Sequence, residues 1–207
     1  FEFYPPIQSR RFRVEFGNRG EAEEERAMVQ YFCQNAHRLD SRSSHVLPRD
    51  HAYNDWSELY GEKHPEYFAL HADGRRSQGR SAKLCVSNPA VAQQWLDNME
   101  QLLNDNPAVV SVGATPNDGA GWCVCQDCRS MDHPKAADDR LGVHTERYVK
   151  YWNELAKGLR ERIPGRDVAI DSLAYGAYKR PPIETRLEDG VWMSYVGHYP
   201  LSNETEW

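Results

Sequence analysis

Hydrophobic positions recur with helical spacing in three segments of the chain. The first spans 21–39, the second begins at Asn88-Pro89, and the third spans 139–163, where Pro164-Gly165 follows. Apolar residues lie three or four positions apart in each segment, which is typical of an amphipathic helix. Asn88 suits the N-cap position of the second helix and Pro89 its first turn. The pattern therefore predicts three long helices.

Short apolar runs separate these helical segments. They cover 84–87, 109–114, 168–174 and 191–196, and a fifth run, 11–16, alternates between apolar and polar residues. The run 109–114 (VVSVGA) is small and β-branched, as expected of a strand that is buried on both faces. Strands that alternate with long helices predict parallel pairing through helical crossovers.

Polar segments rich in aromatic residues follow the predicted strands. These segments are 51–56, 116–132, 175–182 and 197–207. Long functional loops at the C-terminal ends of strands are typical of the (β/α)8 barrel, and no G-x-G-x-x-G motif indicates a dinucleotide-binding open sheet. We therefore predict an α/β fold of the TIM-barrel type, with residues 1–207 forming one barrel domain that is incomplete in this chain.

The composition excludes some partners. The chain is 40% hydrophobic and 27% charged, with a net charge of -6, which is typical of a globular protein. An acidic chain has no general attraction to nucleic acid, so we do not expect a nucleic-acid partner. No apolar run approaches the ~20 residues that a membrane span requires, and none is expected.

Four motifs occur in a characteristic order. They read HPEYFALHADGRR (64–76), KLCVSNPAV (83–91), PNDGAGWCVCQDC (116–128) and LAYGAYKRPP (173–182). Together they resemble a bacterial glycan-utilisation family called domain of unknown function 4838. That family is similar to glycoside-hydrolase TIM barrels and commonly follows an N-terminal domain like that of the family 20 hexosaminidases. The resemblance implies a carbohydrate substrate, an extracellular or periplasmic location, and a barrel whose remainder lies beyond this chain.

Asp118 is the candidate catalytic residue. It directly follows the strand 109–114, so in a barrel it lies at the rim where such loops converge. Glycoside hydrolysis uses two carboxyl groups and requires no cofactor. By the resemblance, Asp118 occupies the acid/base position after the fourth strand. The alternative is that Asn-Asp-Gly only forms a turn. Candidates for the second carboxylate are Asp171, Glu15, Glu204, Glu206, or a residue after Trp207.

Further polar and aromatic residues are candidates for substrate binding. Asn117 is suited to orient a sugar hydroxyl or a 2-acetamido group. The others lie in loops after the strands: His51, Asn54, Trp122, Tyr175, His198 and Tyr199. Aromatic rings in loops either stack on sugar rings or pack the loop onto the core, and the sequence leaves both possibilities open.

Four cysteines form a candidate metal site. Three of them, Cys123, Cys125 and Cys128, have the spacing C-x-C-x-x-C. The fourth, Cys85, directly follows Lys83-Leu84. Because neighbouring parallel strands end side by side, Cys85 is able to approach the triplet. Four thiolates would form a closed, structural zinc site, with His133 as an alternative fourth ligand. Disulfides, in an exported protein, and free thiols are the competing interpretations.

Three functions follow from these features. The first is a glycoside hydrolase that acts on a polysaccharide or glycoconjugate, with Asp118 as the acid. The second is a non-catalytic glycan-binding barrel, in which a structural metal or disulfides brace the loop, and the absence of an obvious second carboxylate motivates it. The third is metal-dependent chemistry at the cysteine loop.

Overall fold

The computed structural model describes residues 51–196, which lie within one compact unit, His45–Trp207. The predicted helix 21–39, the strand 11–16 and the loop 197–207 lie outside the described residues. The α-helices are α1 (Trp56–Tyr60), α2 (Pro89–Asp105), α3 (Gln126–Met131) and α4 (Thr145–Arg162). The strands are β1 (Ser111–Gly113), β2 (Ala169–Ala174) and β3 (Val191–Tyr195), and 3-10 turns span Pro65–Tyr67, Pro134–Ala136 and Gly176–Tyr178.

The three strands form a parallel sheet in the order β1-β2-β3. Val112 is the partner of Ile170, which in turn pairs with Val191. Helix α4 lies between β1 and β2 in the chain and forms the crossover that parallel pairing requires. The predicted α/β class with parallel strands is therefore confirmed. Within residues 51–196 the sheet is open, and its closure into a barrel stays a prediction.

The helix that begins at Asn88-Pro89 is confirmed as α2. The side-chain oxygen of Asn88 accepts a hydrogen bond from the backbone N–H of Ala90 at 3.1 Å, and Pro89 occupies the first turn. The third predicted helix begins later than expected, at Thr145 rather than 139. The side chain of Asp139 accepts a hydrogen bond from the backbone N–H of Leu141, which stabilises a turn in place of a helical start.

The prediction of a strand at 84–87 was wrong. Leu84 forms only a single antiparallel bridge with Phe68. The carbonyl of Cys85 then accepts a hydrogen bond from the backbone N–H of Asn88, so the chain turns at once into α2. The local N-cap outweighs the strand propensity of a run this short.

Two tryptophans attach the helices to the first strand. The indole N–H of Trp95 on α2 donates to the carbonyl of Gly113 at 3.2 Å. The indole N–H of Trp152 on α4 donates to the carbonyl of Ala114 at 3.0 Å. Both rings are fully buried. Each therefore contributes a large apolar surface to the core while its polar group is satisfied at the end of β1.

Both faces of the sheet are buried. Val112 and Ile170 belong to the apolar core that contains the buried residues of α2 and α4. Because successive strand residues point to opposite faces, their neighbours Ser111 and Asp171 project from the other face. These two polar residues are also buried. Among residues 51–196, no helix has the length and apolar character needed to cross a membrane.

Glu146, in the first turn of α4, holds the loop between β2 and β3. Its buried carboxylate accepts hydrogen bonds from the backbone N–H groups of Ile183 and Glu184 at 2.6 Å each, and of Thr185 at 3.1 Å. Burial acts to raise the pKa of Glu146, but the hydrogen bonds from Thr185, Glu184 and Ile183 outweigh it, and the pKa lies below its ordinary value.

We predict that Glu146→Gln lowers the free energy of unfolding by about 1–3 kcal/mol at neutral pH, because an amide accepts less well and brings N–H groups towards backbone donors. Since the folded pKa of Glu146 is lowered, its stabilisation is present above the unfolded pKa of about 4.3 and is lost as the pH falls through the folded pKa. Urea unfolding at neutral and acidic pH measures both effects.

The matched control is Glu161→Gln, which makes the same change at an exposed position of α4. It should leave stability nearly unchanged at both pH values. Equal effects of the two substitutions would show that the loop does not depend on the Glu146 carboxylate.

Candidate functional site

Asn117 anchors the loop that follows β1. Its side chain is 1% exposed, accepts a hydrogen bond from the backbone N–H of Tyr53, and donates to the carbonyls of Tyr53 and Ala82. Both amide N–H groups are therefore used inside the protein. The predicted contact of Asn117 with a sugar does not fit this buried position, and we assign the residue a structural role.

Asp118 lies next to this anchor and is exposed to solvent. One carboxylate oxygen accepts a hydrogen bond from the backbone N–H of Gly119 at 2.8 Å, and Gly119 has a φ of +88°. Both features belong to a tight turn, as the alternative interpretation of Asn-Asp-Gly predicts. The turn also directs the carboxylate away from the core, where a ligand can reach it.

Lys83 supports the loop from inside the protein. Its side chain is only 2% exposed, and its ammonium group donates a hydrogen bond to the carbonyl of Asn117 and lies 4.2 Å from the centre of the Trp122 ring. Burial lowers the pKa of Lys83 to about 8, while the Asp118 carboxylate acts in the opposite direction. Sequence reasoning missed this residue, although a lysine inside the apolar run AKLCV (82–86) was a signal.

Aromatic side chains surround the same loop. Trp122 is half-buried, with ring centres 5.0 Å from His144, 5.6 Å from Tyr148 and 5.7 Å from Tyr178. Tyr178 lies just after β2. Trp122 thus packs the loop after β1 against helix α4 and the loop after β2, and the residue is still partly accessible.

The tyrosines after β2 connect this cluster to Asp118. Burial raises the pKa of the Tyr178 hydroxyl, and the nearby Asp118 and Tyr175 raise it further. Tyr175 is 41% exposed. The loops that carry Asp118 and Tyr175 leave the sheet at the same edge, because β1 and β2 are parallel.

Other predicted site residues are less closely connected to Asp118. His51 has a φ of +54° and a buried Nδ1 atom, and Asn54 is half-buried in the following turn. Within residues 51–196 neither side chain forms a hydrogen bond with Asp118. His198 and Tyr199 lie outside the described residues. Tyr53 and Trp56 are buried in the core, so for these two aromatic residues the packing interpretation is confirmed.

The four predicted metal ligands do come together. The sulfur atoms of Cys85, Cys123, Cys125 and Cys128 all lie within 4.8 Å of one another. Cys85 is 3.7 Å from Cys125 and 3.9 Å from Cys128, far beyond the ~2.05 Å of a disulfide bond. All four are free thiols. His133 instead accepts a hydrogen bond from the backbone N–H of Lys135 and lies outside the cluster.

Backbone N–H groups point at two of the sulfur atoms. The Cys125 sulfur accepts a hydrogen bond from the N–H of Cys128 at 3.4 Å and caps helix α3. The Cys123 sulfur accepts one from the N–H of Leu70 at 3.3 Å. The local fold therefore fixes the orientation of these two sulfur atoms.

The thiols compete for negative charge. Hydrogen bonds from Cys123 and Cys128 hold the pKa of Cys85 well below its usual value. Hydrogen bonding to Cys123 and Cys85, together with burial, holds the pKa of Cys128 well above it. Four thiolates this close repel one another unless a cation lies between them. A divalent metal ion removes this conflict, since it keeps coordinated thiols deprotonated.

Arg147 braces the loop that carries the cysteine triplet. The side chain is 2% exposed, and its guanidinium group donates to the carbonyl of Cys123 at 2.9 Å and to the carboxylate of Asp132 at 3.0 Å. Asp132 also contacts the His144 ring at 3.2 Å. A single buried cation thus joins both ends of the segment 123–132. Sequence reasoning missed this role, because an arginine in the first turn of a helix is usually exposed.

The chain is an α/β protein with a parallel sheet, a carboxylate at the end of one strand, and four clustered cysteines. It belongs to the domain of unknown function family DUF4838, whose profile matches residues 2–201. A comparison of this sequence with curated proteins found no match.

Two solved structures are similar. One is a β-galactosidase from Bacillus circulans sp. alkalophilus (12% identity, TM-score 0.36), where the match covers 56% of this chain and 24% of the other. The second is a cold-adapted β-galactosidase from Rahnella sp. R3 (14% identity, TM-score 0.41), with 75% and 28% covered. The matches thus span about a quarter of each enzyme.

We predict that Gly121→Ala destabilises the loop more than Gly119→Ala does. Both glycines have a positive φ, +95° and +88°, where any side chain is strained by about 1–2 kcal/mol. A Cβ atom at position 121 would also lie 2.9 Å from the His71 ring. A Cβ atom at position 119 would have no neighbouring atom within 4 Å. Thermal unfolding of both variants measures the difference.

The double variant Gly121→Ala/His71→Ala tests the cause, because it removes the clash and keeps the strained backbone. The decrease in its unfolding temperature relative to the His71→Ala variant should match the decrease that Gly119→Ala causes relative to the wild type. If the two glycine variants unfold alike, close packing of His71 on Gly121 does not shape this loop.

Proposed function

We propose that this chain forms part of a (β/α)8 barrel that hydrolyses glycosidic bonds, with Asp118 as the acid/base residue. One observation carries the proposal: Asp118 is exposed in the loop after a buried parallel strand, and the loop after the neighbouring parallel strand carries Tyr175 and Tyr178. In such barrels, catalytic residues lie at the C-terminal ends of strands. The four sequence motifs resemble a family that is itself similar to glycoside-hydrolase barrels, which agrees with this assignment.

In this mechanism Asp118 protonates the oxygen of the leaving sugar. The exposed ring of Tyr175 offers an apolar face for a sugar, and Trp122 lies on the same side of the sheet edge. The reaction needs a second carboxyl group. Asp171 is our candidate, since it is buried on β2 and projects from the sheet face opposite to the helices. In a closed barrel that face would line the interior.

The alternative is a barrel that binds a glycan without cleaving it. A general acid commonly lies in an apolar environment that keeps its proton at neutral pH. Asp118 is instead exposed and hydrogen-bonded within its own turn. In this case the substrate-binding aromatic residues retain their function and the carboxylate contributes only a hydrogen bond to a sugar hydroxyl.

We predict that Asp118→Asn reduces the release of reducing sugar from a responsive polysaccharide by about 100-fold or more, because the amide cannot donate a proton to the leaving group. A panel of plant and bacterial polysaccharides provides the assay. Asp127→Asn, an identical change at an exposed position on α3, should leave turnover unchanged. Glycan binding by a wild-type protein that cleaves none of the bound glycans would favour the binding barrel.

We also propose that the four cysteines bind one structural zinc ion. Thiolates at about 2.3 Å from a tetrahedral zinc ion lie about 3.8 Å apart. The separations of 3.7 and 3.9 Å from Cys85 to Cys125 and Cys128 support this size, and all the sulfur atoms lie within 4.8 Å of one another. Four sulfur ligands leave no position for water or substrate, so the ion would brace the loop of Asp118 and Trp122 and take no part in the reaction.

We predict one zinc ion per chain by elemental analysis of protein purified without chelators. Removing it with a strong chelator should lower the thermal midpoint of unfolding, because binding energy at such a site is folding energy. Cys123→Ser should have the same effect, whereas Ser130→Ala, on the adjacent helix α3, should retain the metal. Full stability of metal-free protein would contradict a structural ion.

A further inference from the structure

The hydroxyl group of Ser87 lies against the cysteine cluster. Its oxygen is 3.1 Å from the sulfur of Cys128 and 3.6 Å from those of Cys85 and Cys125. A tetrahedron of four sulfur atoms has four triangular faces. Ser87 therefore lies over the face formed by these three cysteines, on the side opposite to Cys123.

We infer that Ser87 is a positioning residue of the metal centre, which donates a hydrogen bond to the Cys128 thiolate and covers one face of the ligand tetrahedron. The inference rests on the proposed zinc site. Ser87 is not itself one of the proposed ligands.

Ser87 complements the backbone donors. The backbone N–H of Leu70 donates a hydrogen bond to the sulfur of Cys123, and that of Cys128 donates one to the sulfur of Cys125. The nearest donor to the Cys128 sulfur within residues 51–196 is the Ser87 hydroxyl, apart from the other thiols. Groups that hydrogen-bond to metal ligands fix their orientation and adjust their charge, and their loss typically costs about 10–100-fold in metal affinity.

The local fold explains the position of Ser87. It lies in the tight turn in which the carbonyl of Cys85 accepts a hydrogen bond from the N–H of Asn88. Asn88 in turn caps α2. The turn that begins the helix therefore folds the hydroxyl back over the sulfur of Cys85. The side chain is half-buried beside the three sulfur atoms.

The test compares Ser87→Thr with Ser87→Val, which have nearly the same shape but differ in the hydroxyl group. Zinc affinity is measured by competition with a chromophoric chelator, and the centre is also loaded with Co²⁺ to record its thiolate charge-transfer absorption. We expect Ser87→Val to bind one ion with about 10–100-fold lower affinity and a shifted absorption band. Ser87→Thr should resemble the wild type.

Ser130→Ala is the control, since this hydroxyl on α3 donates to the carbonyl of Asp127 and lies outside the cluster. Ser87→Ala provides a further variant without the hydroxyl if Val does not fit. Equal affinity and equal absorption of the Thr, Val and Ala variants would overturn the role of Ser87 while the metal site stands. A wild-type protein that binds no zinc would overturn the metal site itself.

Discussion

The parallel pairing of β1 with β2 is the constraint on which the rest of this structure depends. Helix α4 connects the two strands and covers them with its buried face, so both strands run in the same direction. Their following loops consequently leave the sheet at one edge. This is why Asp118 and Tyr175, which are far apart in the chain, both lie in loops at that edge.

The loop after β1 has little regular structure of its own, and buried polar groups define its shape. Lys83 supports it at Asn117, Arg147 holds it at Cys123, and the cysteine cluster joins it to the turn before α2. Each of these contacts comes from a different part of the chain. Charged groups buried in this way are costly unless they are hydrogen-bonded, and both Lys83 and Arg147 donate to backbone carbonyls of the loop.

Features encoded locally were predictable from the sequence. The N-cap and proline at 88–89 indicated α2, and the apolar runs 109–114, 168–174 and 191–196 indicated the parallel strands. The cysteine spacing with Cys85 after an apolar run indicated the cluster. What failed depends on tertiary contacts: the short run 84–87 is governed by the cap that follows it, and Asn117 has the residue type of an exposed turn but is held by Tyr53 and Ala82.

The unequal distribution of the cysteine ligands along the chain affects how metal binding and folding are linked. Three of them lie in one short loop, whereas Cys85 is joined to them only by the folded sheet and helices. An unfolded chain would retain a partial, three-thiolate site with affinity of its own. Because stabilisation reflects only the difference in affinity between native and unfolded states, the ion would stabilise the fold chiefly through its bond to Cys85.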